Sequence, residues 1–508
     1  MAMGEMRRRT TSAALSVLVL LASVLIVAPA NAAPGDVLAW GANDWGQLGD
    51  GTLTPHLTPA PVSVGALTDL AGGRHHVLGL APDGTVAAWG YNGMGQIGDG
   101  GDNKRETPIT VPDVSGVVGL GAGHYHSLAV HGDGSLSAWG RNVDGTLGDG
   151  TRVNRFLAVP VQGLTTVMAA AGGREHSLAL LADSTVMGWG SNSNGQVGDG
   201  TTMLRTSPVP VSGLSTVTAI VGGRIHSLAL LADGTVMAWG DNQYGQLGDG
   251  TTIDRSSPVA VTGLSNIVAV EAFGFHSLAL DEQGQVYTWG LNGNGQLGDG
   301  TKINRPTPAL VAGLDHVTTI GSGRNHSMAS TATGTLYTWG KNDAGQIGDG
   351  TTTDRLVPTA VAPIATSHLV GGRDYIAVLE EAPVEPAITP GIMVVLEGDT
   401  GSVFVDVPVR LDVAAPHPVT VAWTTIDFPA NPTIAVGGED YVAAAGTLTF
   451  APGELERFVT IEVLGDTVDE PATLYGSWAV IGFTNPSANA TINPAFFGLG
   501  IASIIDDD

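Results

Sequence analysis

Cysteine is missing from all 508 residues, which excludes disulfides, thiolate metal sites and cysteine nucleophiles and leaves burial and backbone pairing to hold the fold. Positive charge is scarce too. Lysine and arginine number 21 against 48 aspartates and glutamates, for a net charge of −27, a balance that repels nucleic acid and anionic membranes. It favours cations, calcium above all where carboxylates converge. No stretch after the N-terminus sustains a helical period. Gly-x-Ser-x-Gly, His-Glu-x-x-His and phosphate-loop motifs are all lacking, so no enzymatic activity is expected. Glycine is the opposite case: 73 of them point to many tight turns.

At the N-terminus Arg7, Arg8 and Arg9 precede an apolar run from Ala13 to Ala28, and Ala30-Asn31-Ala32 has the small-x-small form of a cleavage site. Residues 1–32 are therefore expected to be an export signal of the bacterial kind, with a secreted, extracellular mature chain. The run is shorter than the roughly 20 residues that a membrane span needs. No second candidate follows, so the mature chain is expected to cross no membrane.

Trp-Gly recurs at Trp40, Trp89, Trp139, Trp189, Trp239, Trp289 and Trp339, spaced by 49 residues once and by 50 thereafter. Between Trp189 and Trp239 the unit reads as four short β runs: "SPVPV" (207–211), "TVTAIVGG" (216–223), "HSLALL" (226–231) and "TVMAWG" (235–240). The last two are joined by the hairpin signal "ADG". Four strands per unit of about 50 residues, repeated radially, predict the blades of a β-propeller. The array enters with a lone "VLAWG" (37–41) and leaves with "GGRDYIAVLE" (371–380). Each lacks the strand that the other supplies, so the two ends are expected to pair and close a seven-bladed ring over residues 33–380.

"YTWGLNGNGQLGDGT" (287–301) and "VGGRIHSLALLADGTVMAWG" (221–240) resemble the repeat of the RCC1 family, named for the regulator of chromosome condensation, and the likeness covers all seven units. It implies a propeller that binds other proteins.

The recurrent polar residues have structural explanations. His76, His126, His176, His226, His276 and His326 share one register, with Tyr375 in the seventh copy. A radial repeat puts each in its own blade, so buried, hydrogen-bonded side chains are expected rather than a metal site. In "NQYGQLGDGT" Asn242, Asp249 and Thr251 offer too few oxygens for calcium. Asn242 and Asp249 are expected to bond backbone within the loop, with Gly245, Gly248 and Gly250 at turn positions and Leu247 as an apolar peg.

Binding is expected where the copies differ. The residue before the recurrent His or Tyr reads His75, Tyr125, Glu175, Ile225, Phe275, Asn325 and Asp374; the residue after Trp-Gly reads Ala42, Tyr91, Arg141, Ser191, Asp241, Leu291 and Lys341. The hairpin brings these two sets to one end. Trp45, Tyr91, Tyr125, Tyr244, Phe273 and Phe275 are thereby expected to gather at one rim, as aromatic anchors for a protein partner or a cell-surface component.

The repeats stop at the proline-rich "EEAPVEPAITPG", read as a linker over 381–391. Beyond it "VFVDVPVRLDV" (403–413), "VTVAWTTI" (419–426), "GTLTF" (446–450), "RFVTIEVL" (457–464) and "GLGIASII" (498–505) predict a small antiparallel sandwich. "LEGDTGS", "GGEDY", "GTLTFAPGE", "GDTVDEP", "FTNPSANATI" and the final "DDD" resemble a Calx-β domain, an immunoglobulin-like module, over 392–508. The resemblance implies calcium held at one tip by Glu397, Asp440, Asp466, Glu470, Asp506 and Asp507, with Asp469 a further candidate. Residues 383–508 carry only Arg410 and Arg457 against 17 acidic residues, a charge that suits a hard cation. Thr473 stands where the family often has a second glutamate, and "FPANPTIAVGG" is a longer insert before Asp440.

The whole reads as an all-β, secreted, monomeric, non-enzymatic interaction or adhesion protein: a seven-bladed RCC1-like propeller followed by a calcium-binding Calx-β sandwich. The alternative is an inhibitor of an extracellular enzyme, since RCC1-like folds include a secreted bacterial inhibitor of β-lactamases. Nucleotide exchange on a small GTPase, the founding member's role, conflicts with the export signal and the acidity.

Overall fold

The computed structural model describes residues 35–380, 386–396, 401–413, 415, 418–426, 441–465, 477–487, 490–493 and 499–505. The export signal and all six calcium-ligand candidates, Glu397, Asp440, Asp466, Glu470, Asp506 and Asp507, lie outside these described residues. The chain divides into two compact units, Met1–Ala382 and Pro383–Asp508.

The first unit is seven four-stranded antiparallel sheets. A representative blade runs outward through Val217–Gly222, His226–Leu231, Val236–Gly240 and Arg255–Ala260. The blade is thus offset by one strand from the unit read in the sequence. The run at 207–211 lies largely in Arg205–Pro210, the outermost strand of the preceding blade, because the long "GQLGDGT" loop intervenes between the Trp-Gly strand and the last strand of the same sheet.

The ring closes as the end strands require. Gly35–Gly41 pairs antiparallel with Tyr375–Glu380, with Val37 opposite Leu379 and Gly41 opposite Tyr375. One blade is therefore built from Thr366–Gly371, Tyr375–Glu380, Gly35–Gly41 and His56–Leu67.

Apolar clusters sit between blades. One of them joins Leu228, Leu230 and Val236 of one blade to Ile267, Ala279 and Trp289 of the next, which is why neither face of "HSLALL" could be polar. Each tryptophan clamps the loop before it: Trp239 is fully buried and its Nε1 donates to the carbonyl of Gln196 at 2.9 Å. Gly198 (φ +83°) lies beneath that ring, where an added Cβ would come within 2.6 Å of the indole nitrogen. Only glycine satisfies both the backbone angle and the space there.

The second unit is a two-sheet sandwich. One sheet is ordered Glu456–Gly465, Gly401–Leu411, Ala387–Pro390, Thr491–Ile492; the other is Ile392–Leu396, Leu499–Ile505, Ser477–Thr484, Val419–Ile426, Ala445–Phe450. Ile388, Val407, Val421, Phe450, Ile461 and Ile481 are among the residues of its core.

Two expectations need correction. Ala387–Pro390 belongs to the sandwich and not to the linker: Ile388 is fully buried, opposite Leu411. Proline suits strand ends, so composition alone misled. Nor is the sandwich wholly antiparallel, since Ala387–Pro390 and Ile392–Leu396 each pair in parallel with a late strand. The chain changes sheets at Gly391, whose N–H donates to the Pro408 carbonyl at 2.7 Å.

Candidate functional site at the mouth of the central channel

The recurrent polar residues are consumed in holding the ring together. Within the loop, Asn242 Nδ2 donates to Asp249 Oδ1 and to the carbonyls of Thr251 and Ile253, while its Oδ1 accepts from the N–H of Leu247. Asp249 also accepts from both the N–H and the hydroxyl of Thr251. Its second oxygen faces Arg255 at 2.7 Å. These bonds hold the Asp249 carboxyl below its ordinary range against the opposing effect of burial.

The arginine was not anticipated, although a basic residue stands six positions after the aspartate in every copy: Arg105, Arg155, Arg205, Arg255, Arg305 and Arg355, with His56 in the closing blade. Five of the six histidines staple neighbouring blades, whereas buried His326 makes no such side-chain bond, because Ile376 stands where those five meet serine. Nε2 of His76, His126, His176, His226 and His276 meets Oγ of Ser127, Ser177, Ser227, Ser277 and Ser327 at 2.8–3.1 Å. Tyr375 replaces the pattern by donating its hydroxyl to carbonyls of the first blade, Gly73 and His76.

The variable residues do meet at one end. Tyr91 N–H donates to the His75 carbonyl, Arg141 to Tyr125, Ser191 to Glu175, Asp241 to Ile225, Leu291 to Phe275, Lys341 to Asn325 and Ala42 to Asp374. Their turns surround the mouth of the channel enclosed by the seven innermost strands.

Just before these variable residues stands Arg74, Arg174, Arg224, Arg324 or Arg373 in five blades, and His124 and Gly274 in the other two. Backbone bonds link these turns around the mouth. Arg373 N–H donates to the Arg74 carbonyl, Arg74 to His124, His124 to Gly173, Arg174 to Arg224, Arg224 to Gly274 and Arg324 to Gly372, all at 2.9–3.2 Å.

The two irregular blades meet each other across the mouth. His124 stacks on Phe273 with ring centroids 4.7 Å apart and planes at 21°. Phe273 is therefore a buried plug, 7% exposed, and not the exposed anchor expected of it. It conflicts with that expectation because its partner lies on a blade nearly half the ring away and fills the axis. Beneath it is a cavity of about 150 Å³ lined by small inner-strand residues, among them Ala71, Gly121, Ala170 and Gly222, together with Glu271. Burial pushes the Glu271 carboxyl up to about 8, so at neutral pH it is largely uncharged.

Of the remaining aromatic residues, four form two clusters on the same face and Tyr125 stands apart from them. Trp45, 41% exposed, meets Tyr91 edge-on at 4.8 Å and His75 at 6.3 Å. Tyr244 meets Phe275 edge-on at 5.2 Å, and Arg224 lies 4.7 Å from the centre of the Phe275 ring. Tyr125 lies under Arg74, 5.3 Å from the guanidinium carbon, with its hydroxyl against that group.

Charge converges there as well. Burial first, then Arg324, Arg174 and Arg74, pushes Arg224 down to about 10. His75 is pushed down to about 3, by burial and then by Arg74 and Arg373.

Among the described residues no group of three or more acidic or histidine side chains gathers in a way that could hold a metal ion.

Seven radial blades of one short repeat, followed by a two-sheet sandwich, define a propeller-based repeat protein of the interaction class. The chain belongs to the family of the regulator of chromosome condensation (RCC1) repeat, whose model matches residues 34–80, 83–130, 133–180, 183–230, 233–280, 283–330 and 333–379. Residues 390–492 match the Calx-beta domain.

Among solved structures the chain is similar to Prp20p from Saccharomyces cerevisiae, at 24% identity over 69% of this chain and 92% of that one, with a TM-score of 0.62. Human WBSCR16 is similar at 24% identity over 68% of this chain and 100% of that one, TM-score 0.62. Yeast RCC1 (Prp20) bound to Kap60 is similar at 21% identity over 74% of this chain and 97% of that one, TM-score 0.63. At these identities the likeness shows the fold alone. No curated protein matches the chain.

Proposed function

We propose that this is an exported, non-enzymatic interaction protein whose propeller mouth binds a protein partner or cell-surface component and whose Calx-β unit binds calcium. The observation that carries the reading is a division of labour. Residues constant between copies are tied into bonds within the blade loops and between blades, whereas copy-specific aromatic and charged side chains collect on one face, where tryptophan, tyrosine and arginine make strong binding anchors. The structures of Prp20p were reported with its binding to Gsp1p and histones, and with Kap60, which supports a propeller of this fold serving as a protein-binding scaffold.

The test is capture of partners from culture supernatant and cell envelope by the mature chain, with and without a calcium chelator. Trp45→Ala combined with Tyr91→Ala is expected to lose the captured partner, and Val357→Ser on an outer strand is expected to keep it. Retention of every partner by the double variant would refute the mouth as binding face. A single soluble enzyme, captured regardless of chelator and inhibited, would favour the inhibitor reading. Calcium itself is tested by calorimetry: binding lost in Asp440→Asn with Asp506→Asn supports the six carboxylates, and no heat from the wild-type chain refutes them.

A further inference from the structure

Two sets of arginines recur in the propeller. Six arginines stand beside an aspartate in the blade loops. Five others, Arg74, Arg174, Arg224, Arg324 and Arg373, surround the channel mouth and, among the described residues, make ion pairs with only two carboxylates. Arg174 approaches Glu175 at 3.3 Å and Arg373 approaches Asp374 at 3.0 Å, but Glu175 also serves Arg141 at 3.4 Å, and Asp374 serves Lys341 at 3.0 Å. Arg224 and Arg324 make no ion pair among the described residues; they feel only the same two carboxylates, Glu175 and Asp374, from farther away. Asp343, whose carboxyl feels Arg373, is bound to Lys341 at 2.8 Å, and Glu271, in the cavity below, is held neutral by burial.

The fold does not need these arginines. The same position is filled by His124 and Gly274 in blades that close equally well. Nor are the guanidiniums all satisfied where they lie: the Nε of Arg74 and Arg224 is buried without a hydrogen-bond partner, although buried donors are nearly always paired, and the Nε of Arg174 and Arg373 has only the shared carboxylate named above. Like charges held together, half-buried, with unused donors are costly unless something answers them.

We propose that the five arginines form one oxyanion site, which takes clustered phosphate or carboxylate oxygens presented at the mouth. This rests on the mouth being the binding face and names the chemistry that it accepts. Guanidinium forks match such oxygens two bonds at a time. His124 and Phe273 close the floor, so the ligand lies across the mouth rather than down the channel. Flanking Tyr91, Tyr125 and Phe275 provide faces for whatever carries the anion.

The test uses the mature full chain and two probes, inorganic tripolyphosphate and hexaglutamate, titrated by calorimetry at low and at physiological salt. Binding of at least one probe is expected, weakening as salt rises and falling at least tenfold in Arg224→Gln with Arg324→Gln. Lys302→Gln, at an exposed lysine, should bind like wild type. Unchanged melting of the double variant excludes misfolding, and Arg224→Lys with Arg324→Lys separates charge from the fork by binding at an intermediate level. Preference for tripolyphosphate identifies a phosphorylated ligand; preference for hexaglutamate identifies an acidic polypeptide segment.

If neither probe binds, or if the double Gln variant binds them as wild type does, the oxyanion site is refuted. That result would leave the mouth as a binding face intact if Trp45→Ala with Tyr91→Ala still loses its partner. Probe binding with partner capture unaffected would refute the binding face and keep the anion site.

Discussion

Arg224 and Arg255 stand 31 residues apart in one repeat, and the contrast between them separates folding from binding in this propeller. Arg255 sits on an outermost strand with both Nε and Nη2 directed at Asp249, inside a loop that positions the next blade's tryptophan. Arg224 sits at the axis, over an aromatic ring, among four other arginines. The first kind recurs with its acidic partner and the second recurs without one. Recurrence in a repeat protein therefore does not by itself mean structural use. What decides it is whether the partner recurs too.

The most severe way to strain this comparison is to remove a constant element outright. Deleting residues 33–41 strips the strand that pairs with both His56–Leu67 and Tyr375–Glu380, and should lower the melting temperature by more than about 10 °C, a loss of several kcal/mol. A truncated chain that melts like the mature one would refute closure as the source of stability.

Asp249→Ala is next. It orphans the Thr251 N–H, frees the Thr251 hydroxyl and removes one of the acceptors of Asn242 Nδ2, and should cost about 2–4 kcal/mol in denaturant unfolding. The ion pair with Arg255, one-third exposed, adds little to this. A cost below about 1 kcal/mol would mean that the loop networks are ornamental.

His226→Gln should cost about 1–3 kcal/mol at pH 7, through loss of the bond to Ser277. Burial holds His226 at about 3, below its unfolded value near 6.5. The unfolded chain therefore binds protons that the folded chain refuses, and stability present above pH 6.5 is lost as pH falls toward 3. His76, His126 and His276 behave alike. Melting followed from pH 7 to pH 4 should fall steadily, and less steeply in the variant. An equal slope would place the acid sensitivity elsewhere.

The smallest effect is the sharpest contrast. Arg224→Gln with Arg324→Gln should change stability by no more than about 0.5 kcal/mol and could raise it, because like charges are removed. A loss of 2 kcal/mol or more, of the size that a buried structural bond supplies, would erase the distinction between the two arginine sets.

Blade number, ring closure and the structural histidines were legible because Trp-Gly, "GQLGDGT" and "HSLAL" each recur at one spacing and each has a local physical meaning. Other features were not, for reasons of range. The Arg255–Asp249 pair was visible as two recurring residues, but only the folded loop shows that they meet. The arginines of this turn recur five times in plain sight, four after Gly-Gly and Arg324 after Ser-Gly; their shortage of acidic partners depends on the axis that gathers them. The stacking of His124 on Phe273 joins two irregular copies 149 residues apart, which no local pattern connects. In the sandwich, the switch of sheets at Gly391 hides inside a proline-rich stretch that composition alone reads as linker.

The blade assembled from both ends of the repeat array also sets an order in time. Gly35–Gly41 leaves the ribosome early, yet its partner Tyr375–Glu380 follows some 340 residues later, roughly 20–70 s of synthesis at ordinary elongation rates. Throughout that interval the first strand has no neighbour on one side, and no subset of blades can close. Closure of the circle therefore cannot precede synthesis of the seventh repeat, whatever the order in which the other blades form.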